Sequence, residues 1–401
     1  MEPDKCCESG CIPCERDPDG KEPLDLCNYI GGEFVCHSGA EWVNVLEPAT
    51  GHRFARAPLS GEHDVGDAVS AARQAQPAWG ALSHSERADW LDRIADALEA
   101  RYEDVAALES RDTGKPISLA RDVDAQRSVS NFRFFAGMLR EHEGEVFEMA
   151  SATNYVVHKP VGVGALITPW NLPLYLLSWK VAPAIGMGNT VVCKPSELTP
   201  MTADLLMRVI DEVDLPAGVV NLVHGDGAGA GASLVAHPDI DLVSFTGGTA
   251  TGEKVAASAA PAFKKLSLEL GGKNASIVFA DCDMESTVAG VVRAGFLNQG
   301  QVCLCGSRVL IEDSIYDEFR DRFVDAVEAM RVGDPSDEAT DLGALISGQH
   351  LEKVQGYVEL AKQEGGSLLA GGAPCMPAGF EHGNGMAPTV IEGLSPDSRC
   401  S

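Results

Sequence analysis

Hydrophobic positions are spaced in two ways along this chain, and the change from one to the other is its main structural signal. In Asp64–Trp79 the apolar residues Val65, Ala68, Val69 and Ala72 fall on one helical face. In Ser85–Asp112, Leu91, Ile94, Leu98, Val105 and Leu108 do the same, and a third helix is predicted over Ile117–Arg140, with Phe132, Phe134, Phe135 and Leu139. From Val161 onward short unbroken apolar runs take over, at Val163–Ile167, Val191–Val192, Val219–Val223, Leu242–Phe245, Leu266–Leu270, Ser276–Phe279 and Val309–Ile311. Helical stretches separate them, at Ala203–Val213, Gly231–Ala236, Gly252–Ala259, Met284–Asn298 and Ser314–Met330. Apolar strands interleaved with helices predict an α/β chain on a doubly wound parallel sheet. Ahead of them, Asn28–Cys36 reads as a strand, and residues 1–28 as a polar, Cys-rich appendage.

Composition narrows the function mainly by exclusion. A chain of 401 residues has room for two or more domains. Its 45% apolar and 22% charged content is that of an ordinary soluble protein. A formal charge of −28 repels phosphate backbones and anionic lipid, so no nucleic acid and no membrane partner is expected. No apolar run is long enough to span a bilayer, and Met1–Lys21 lacks the apolar core of a secretory signal, so the expected location is cytoplasmic. In that reducing setting the twelve cysteines are expected to be buried, catalytic or metal-bound rather than bridged.

Six segments carry candidate chemistry. Cys303 stands in Asn298-Gln299-Gly300-Gln301-Val302-Cys303, where a helix gives way to a strand and backbone N–H groups can face a reacting oxygen; a buried structural cysteine is the plainer use. Glu269 closes an apolar strand before Gly271-Gly272, where a carboxylate either finds a partner or has its pKa raised by desolvation toward that of a general base, although most strand-end glutamates are solvated. Asn171, in Pro169-Trp170-Asn171-Leu172-Pro173, offers an amide donor at a strand's carboxyl end, or is a turn residue between prolines. Lys194 and Glu197 follow another strand, where a lysine can meet phosphate or ribose and a carboxylate can accept from ribose hydroxyls. Phe245-Thr246-Gly247-Gly248 opens a helix whose N-terminus suits a pyrophosphate, and Gly225–Gly231 is either a second close approach or a plain glycine-rich turn.

In this order, the segments Pro-Trp-Asn, Lys-Pro-Ser-Glu, Phe-Thr-Gly, Leu-Glu-Leu-Gly-Gly-Lys and Gly-Gln-x-Cys resemble the aldehyde dehydrogenase superfamily from about Tyr29 to Cys400. The resemblance implies the aldehyde dehydrogenase fold: a Rossmann-like doubly wound cofactor domain over residues 29–270, with a bridging strand segment near 144–160, and an α/β catalytic domain over 271–401. It implies NAD as cofactor, a small-molecule aldehyde as substrate and a homo-oligomer. Cys303 would be the nucleophile, Asn171 the oxyanion donor and Glu269 the base that activates the hydrolytic water. Cofactor contacts would come from Ile167, Trp170, Lys194, Glu197, Gly227, Gly231, Thr246 and Gly247, with Gly248 replacing the serine more usual there. Pro169–Pro183, Gln301–Cys305 and Arg127–Phe135 are most similar to the 2-aminomuconic and 2-hydroxymuconic semialdehyde dehydrogenase group. There Arg127 would meet the substrate's distal carboxylate, whereas the residue alone reads as a surface arginine paired with Asp122 or Asp124.

Two departures accompany the resemblance. The chain ends where the family continues into a Glu-Glu-Ile-Phe-Gly-Pro segment, so the catalytic domain is expected to be incomplete, and the alternative is an inactive fragment that binds cofactor or a partner. The appendage, Cys6-Cys7-x3-Cys11-x2-Cys14, is similar to a short oxidoreductase-like segment. Those four cysteines are either a zinc or iron–sulfur ligand set or reactive thiols in a disordered tail.

Overall fold

The computed structural model describes residues 23–36 and 41–400, so Cys6, Cys7, Cys11 and Cys14 lie outside the described residues. Two compact units result. The first comprises residues 23–36, 41–45, 53–105 and 122–269, and the second residues 46–52, 106–121 and 270–400. In chain order the first elements are β1 (Leu24–Asp25), β2 (Asn28–Ile30), β3 (Glu33–Val35), β4 (Trp42–Leu46) and β5 (Arg53–Pro58). Helices α1 (Glu62–Gly80), α2 (His84–Glu99), α3 (Tyr102–Thr113), α4 (Ile117–Leu119) and α5 (Gln126–Arg140) follow, with a π-helical stretch, Ala120–Ala125, before α5. After the exposed hairpin β6 (Glu145–Glu148) and β7 (Thr153–Val156), strands and helices alternate. These are β8 (Val163–Ile167), α6 (Pro173–Gly186), β9 (Thr190–Lys194), α7 (Met201–Glu212), β10 (Val220–Leu222), α8 (Ala232–Ala236), β11 (Leu242–Gly247), α9 (Thr249–Ala259) and β12 (Lys265–Leu270).

The sheet of the first unit runs β12-β11-β8-β9-β10-β2-β3. Strands β11, β8, β9 and β10 are parallel, as the unbroken apolar runs predict. The edge departs from that expectation: β2 pairs antiparallel with β10 and with β3. The predicted single strand Asn28–Cys36 is therefore a hairpin. Gly31 and Gly32 have φ of 62° and 87°, the two left-handed positions that a tight two-residue hairpin turn demands. Cys27 and Cys36, flanking the hairpin, form a disulfide, contrary to the expectation that the cysteines are unbridged. A bridge closing so short a loop constrains the unfolded chain by about 2–3 kcal/mol.

Other differences also have local causes. The predicted helix Ser85–Asp112 is two helices, α2 and α3, broken between Glu99 and Tyr102 with no glycine or proline to announce it. Helix α6 shows no helical period in its sequence because it is apolar nearly all round; it packs on β8, β9, α5 and α7, and even its exposed position is the apolar Trp179.

The second unit pairs β13 (Ala275–Val278) in parallel with β14 (Arg308–Ile311), and lays α10 (Met284–Phe296) and α11 (Tyr316–Glu328) against each other. Its core gathers Val278, Val288, Val291, Phe319, Phe323 and Val327. Helix α12 (Gly348–Gln363) and the antiparallel pair β15 (Ser367–Ala370) and β16 (Val390–Glu392) complete it. Residues 46–52 and 106–121 join this unit through backbone hydrogen bonds far apart in sequence. Ala344 N–H donates to the Gly114 carbonyl (2.9 Å), Ile117 N–H to Pro335 (2.7 Å) and Asn384 N–H to Pro48 (3.0 Å). A Cβ at Gly343 would collide with the Gly114 carbonyl, so this glycine permits the close approach. Among the described residues no helix is long and apolar enough to cross a membrane.

Candidate functional site

The first unit holds a cavity of about 380 Å³ at the carboxyl ends of its parallel strands, where open α/β sheets bind ligands. Ile167 ends β8 and Lys194 ends β9, side by side in the parallel register. Gly227 and Gly231 contribute from a π-helical turn after β10, and Thr251, Lys254, Val255 and Ser258 from α9. The glycine-rich segment is thus an ordered cradle. Asp226 caps it, accepting the Gly229 N–H at 2.6 Å, and a Cβ at Gly227 would meet nothing within 4 Å. Glycine backbone, two lysines and apolar walls suit a phosphate-linked nucleotide. Lys194 is buried and donates to Glu197 at 3.0 Å, so this pair sits as a unit at the cavity edge. Gly248 precedes helix α9 and gives it no side-chain cap, leaving its first N–H groups available. Of the cofactor residues expected from sequence, Ile167, Lys194, Gly227 and Gly231 line this cavity; Trp170, Glu197, Thr246 and Gly247 are not among its lining residues.

Cys303 lies in the second unit, on an exposed turn before β14. Three consecutive residues ahead of it, Asn298, Gln299 and Gly300, have φ of 54°, 56° and 73°. Left-handed backbone at two non-glycine residues is costly and persists only where neighbours fix it. Here they do: Gln299 Nε2 donates to the Ala344 carbonyl at 2.9 Å, and the buried Gln301 accepts the Ile346 N–H at 3.1 Å. After the cysteine, Asn274 Nδ2 donates to the Cys303 carbonyl at 2.7 Å and reaches that of Cys305 at 3.4 Å. The thiol is therefore presented on a turn held from both sides. Cys305 is buried, and that burial pushes its thiol above the ordinary range. Burial does the same to Cys193. Of the thiols in these two motifs, Cys303 alone is exposed.

Residues 34–401 match the model of the aldehyde dehydrogenase family. The chain belongs to the aldehyde dehydrogenase family. It is 48% identical over 380 residues to a 2-aminomuconic semialdehyde dehydrogenase of Danio rerio, covering 94% of this chain and 78% of that protein. It is 45% identical over 379 residues to the 2-hydroxymuconic semialdehyde dehydrogenase of Pseudomonas sp. (strain CF600), covering 92% of this chain and 78% of that one. Among solved structures, PnpE in complex with nicotinamide adenine dinucleotide superposes with a TM-score of 0.91 at 41% identity, covering 94% of this chain and 77% of that one, and PnpE from Pseudomonas sp. WBC-3 does so with the same score and identity, covering 94% and 78%. The protein is thus an oxidoreductase with the aldehyde dehydrogenase fold.

The remaining candidates are placed less simply. Asn171 is half-buried in the loop between β8 and α6. Glu269 sits near the end of β12 and is exposed, so its unit does not desolvate it. Arg127, on α5, is exposed; among the described residues its guanidinium lies 5.9 Å from the Tyr175 ring centre and pairs with neither Asp122 nor Asp124. Among the described residues no cluster is arranged to hold a metal.

One residue of this aldehyde dehydrogenase escaped the sequence reading. Lys180, on α6, is buried, and its ammonium donates to Ser244 Oγ at 2.7 Å. Burial lowers it to about 8, with the Glu269 carboxylate pulling the other way. The available signal was a single lysine inside an apolar helix. Below about pH 8 both the folded and unfolded chains carry the proton, and the cost of the buried charge is fully present. As pH climbs toward the ordinary lysine value of 10.5, the folded chain is already neutral and that cost is relieved. Relative to Lys180→Met, the wild-type unfolding free energy is expected to rise by about 2–3 kcal/mol across that window, read from urea titrations at several pH values. Parallel pH profiles for the two proteins would contradict a buried ammonium.

Proposed function

We propose that this chain oxidises a semialdehyde bearing a carboxylate, 2-aminomuconate 6-semialdehyde or a close relative, to the corresponding acid with NAD as acceptor. The observation that carries the reading is the 42–48% identity, over 91–95% of the chain, to eight relatives all named for muconate-type semialdehydes. In this reading residues 29–270, less the segments 46–52 and 106–121 that belong to the second unit, form the NAD-binding domain, and 271–401 the catalytic domain. NAD, bound in the glycine-lined cavity, supplies the hydride acceptor. Cys303 attacks the aldehyde carbon as its thiolate; the Asn171 amide and the Cys303 backbone N–H hold the oxyanion. Loss of hydride leaves a thioester on Cys303. Glu269 then takes a proton from the water that hydrolyses it, releasing the acid and the thiolate.

Arg127 receives the distal carboxylate, and its freedom from acidic partners among the described residues supports that role. Arg127→Ala is expected to raise KM for the carboxylate-bearing semialdehyde about 10- to 100-fold, the cost of a charge-assisted pair, and to leave KM for a neutral aldehyde unchanged. An equal effect on both aldehydes would remove the assignment.

Gly248→Ser tests the other end of the site. Gly248 has φ −72° and ψ 147°, and a Cβ there meets nothing within 4 Å, so serine fits without strain. It would cap α9 and offer a hydroxyl to the pyrophosphate. The expected outcome is a KM for NAD lowered about two- to fivefold, with stability raised by a few tenths of a kcal/mol. A higher KM would place the pyrophosphate elsewhere. Exposed Val146, Phe147, Tyr155 and Val157 on and beside the β6–β7 hairpin support a homo-oligomer. A cytoplasmic location belongs to the same reading.

A further inference from the structure

The Cys27–Cys36 disulfide belongs to none of the chemistry above, yet it brackets the hairpin that anchors the cavity's glycine loop. Strands β2 and β3 are three residues each and form the sheet's edge; so short a hairpin is marginal without support. What it holds is specific. Asn28, next to Cys27 and fully buried, accepts the His224 N–H at 2.8 Å and donates to Ser60 Oγ at 2.8 Å. Gly31 N–H donates to Asn221 Oδ1 at 2.9 Å. His224 leads directly into Gly225, at φ 135°, where a Cβ would lie 2.9 Å from Ala230 and 3.2 Å from the Ser60 backbone. Two residues later Gly227 begins the turn that lines the cavity with Lys194. His224 also faces both ends of this connection. Burial holds it down at about 4, a backbone group of Cys27 raises it, and Lys194 lowers it. Access is open, because Cys36 is exposed and Cys27 only half-buried.

We propose that Cys27 and Cys36 form a reversible thiol–disulfide site that sets the affinity of the dinucleotide cavity. The proposal rests on reading that cavity as the NAD site. A low-molecular-weight thiol, as its thiolate, attacks the exposed Cys36 sulfur, and the S–S bond breaks to leave a mixed disulfide and the Cys27 thiolate. A second small thiol displaces Cys36 from the mixed disulfide. In sum two electrons and two protons pass to the cysteines, and two small thiols become one small disulfide. The reduced hairpin frays, Asn28 loses its hold on His224 and Ser60, and the loop from His224 to Gly231 loosens. Oxidation by the small disulfide restores it.

The test compares full-length protein equilibrated in reduced and oxidised glutathione buffers, with the state of Cys27 and Cys36 read by alkylation and peptide mass. NAD affinity is measured by tryptophan fluorescence, and amide exchange over residues 224–231 is followed without NAD. Reduction is expected to weaken NAD binding about five- to tenfold, the loss of one or two anchoring hydrogen bonds, and to speed exchange in that loop. At saturating NAD, kcat stays the same. The Cys27→Ser/Cys36→Ser protein should match the reduced form and ignore the buffer. Equal affinity and equal exchange in the two states, or a redox response persisting in the double variant, would overturn the proposal. Loop exchange that follows the cysteines while NAD binds in neither state would instead overturn the cavity assignment, and with it the affinity claim.

Discussion

Replacing Cys303 with alanine is expected to abolish NADH formation, by at least about 10³-fold, while NAD binding survives. The two effects separate because the thiol and the dinucleotide cavity belong to different compact units, and the substitution touches only an exposed side chain. The turn that presents it is fixed by backbone and amide groups, Asn274 and Gln299 among them, which alanine leaves in place. Cys305 cannot take over, since burial disfavours its thiolate. Cys305→Ala should therefore retain most of the activity. Turnover surviving in Cys303→Ala and vanishing in Cys305→Ala would reverse the assignment of the nucleophile.

Glu269→Gln carries the second large effect, and its shape matters more than its size. Steady-state turnover is expected to fall about 10²- to 10⁴-fold, the contribution of a positioned general base. Acylation needs no water, so rapid mixing should still show a burst approaching one NADH per site before the slow phase. A variant that loses burst and steady state together would put Glu269 ahead of hydride loss. The exposed carboxylate also acts on Lys180, so the same substitution removes a charge that raises the lysine. The pH profile of the variant should shift accordingly, Lys180 losing its proton at lower pH than in the wild type.

Part of the cavity lining was legible because it lies where parallel strands end. Ile167, Lys194, Gly227 and Gly231 sit on short apolar runs or just past them, and sequence order there maps directly onto neighbouring strand ends. The glycine cradle needed the structure, because Gly225–Gly231 could equally have been a plain turn until Asp226 was seen capping it. What escaped has physical reasons. A Gly-Gly pair inside Asn28–Cys36 turns one apparent strand into two, which apolar content cannot show. Helix α6 has no polar face, so it has no period, and its one lysine was read as part of a motif rather than as a buried charge. The assignment of residues 46–52 and 106–121 to the second unit depends on backbone hydrogen bonds across more than 200 residues of sequence, which no local pattern records. Glu269 is the opposite case: of the readings open to a carboxylate closing an apolar run, β12 leaves it the solvated one.

The most direct measurement is peptide mass spectrometry on Glu269→Gln protein quenched within the NADH burst, with a carboxylate-bearing semialdehyde as substrate. A covalent acyl group on the peptide containing Cys303, at a stoichiometry equal to the burst, is the expected result. NADH formed with no protein-bound acyl group, or with the group on Cys282, Cys305 or Cys375, would contradict it.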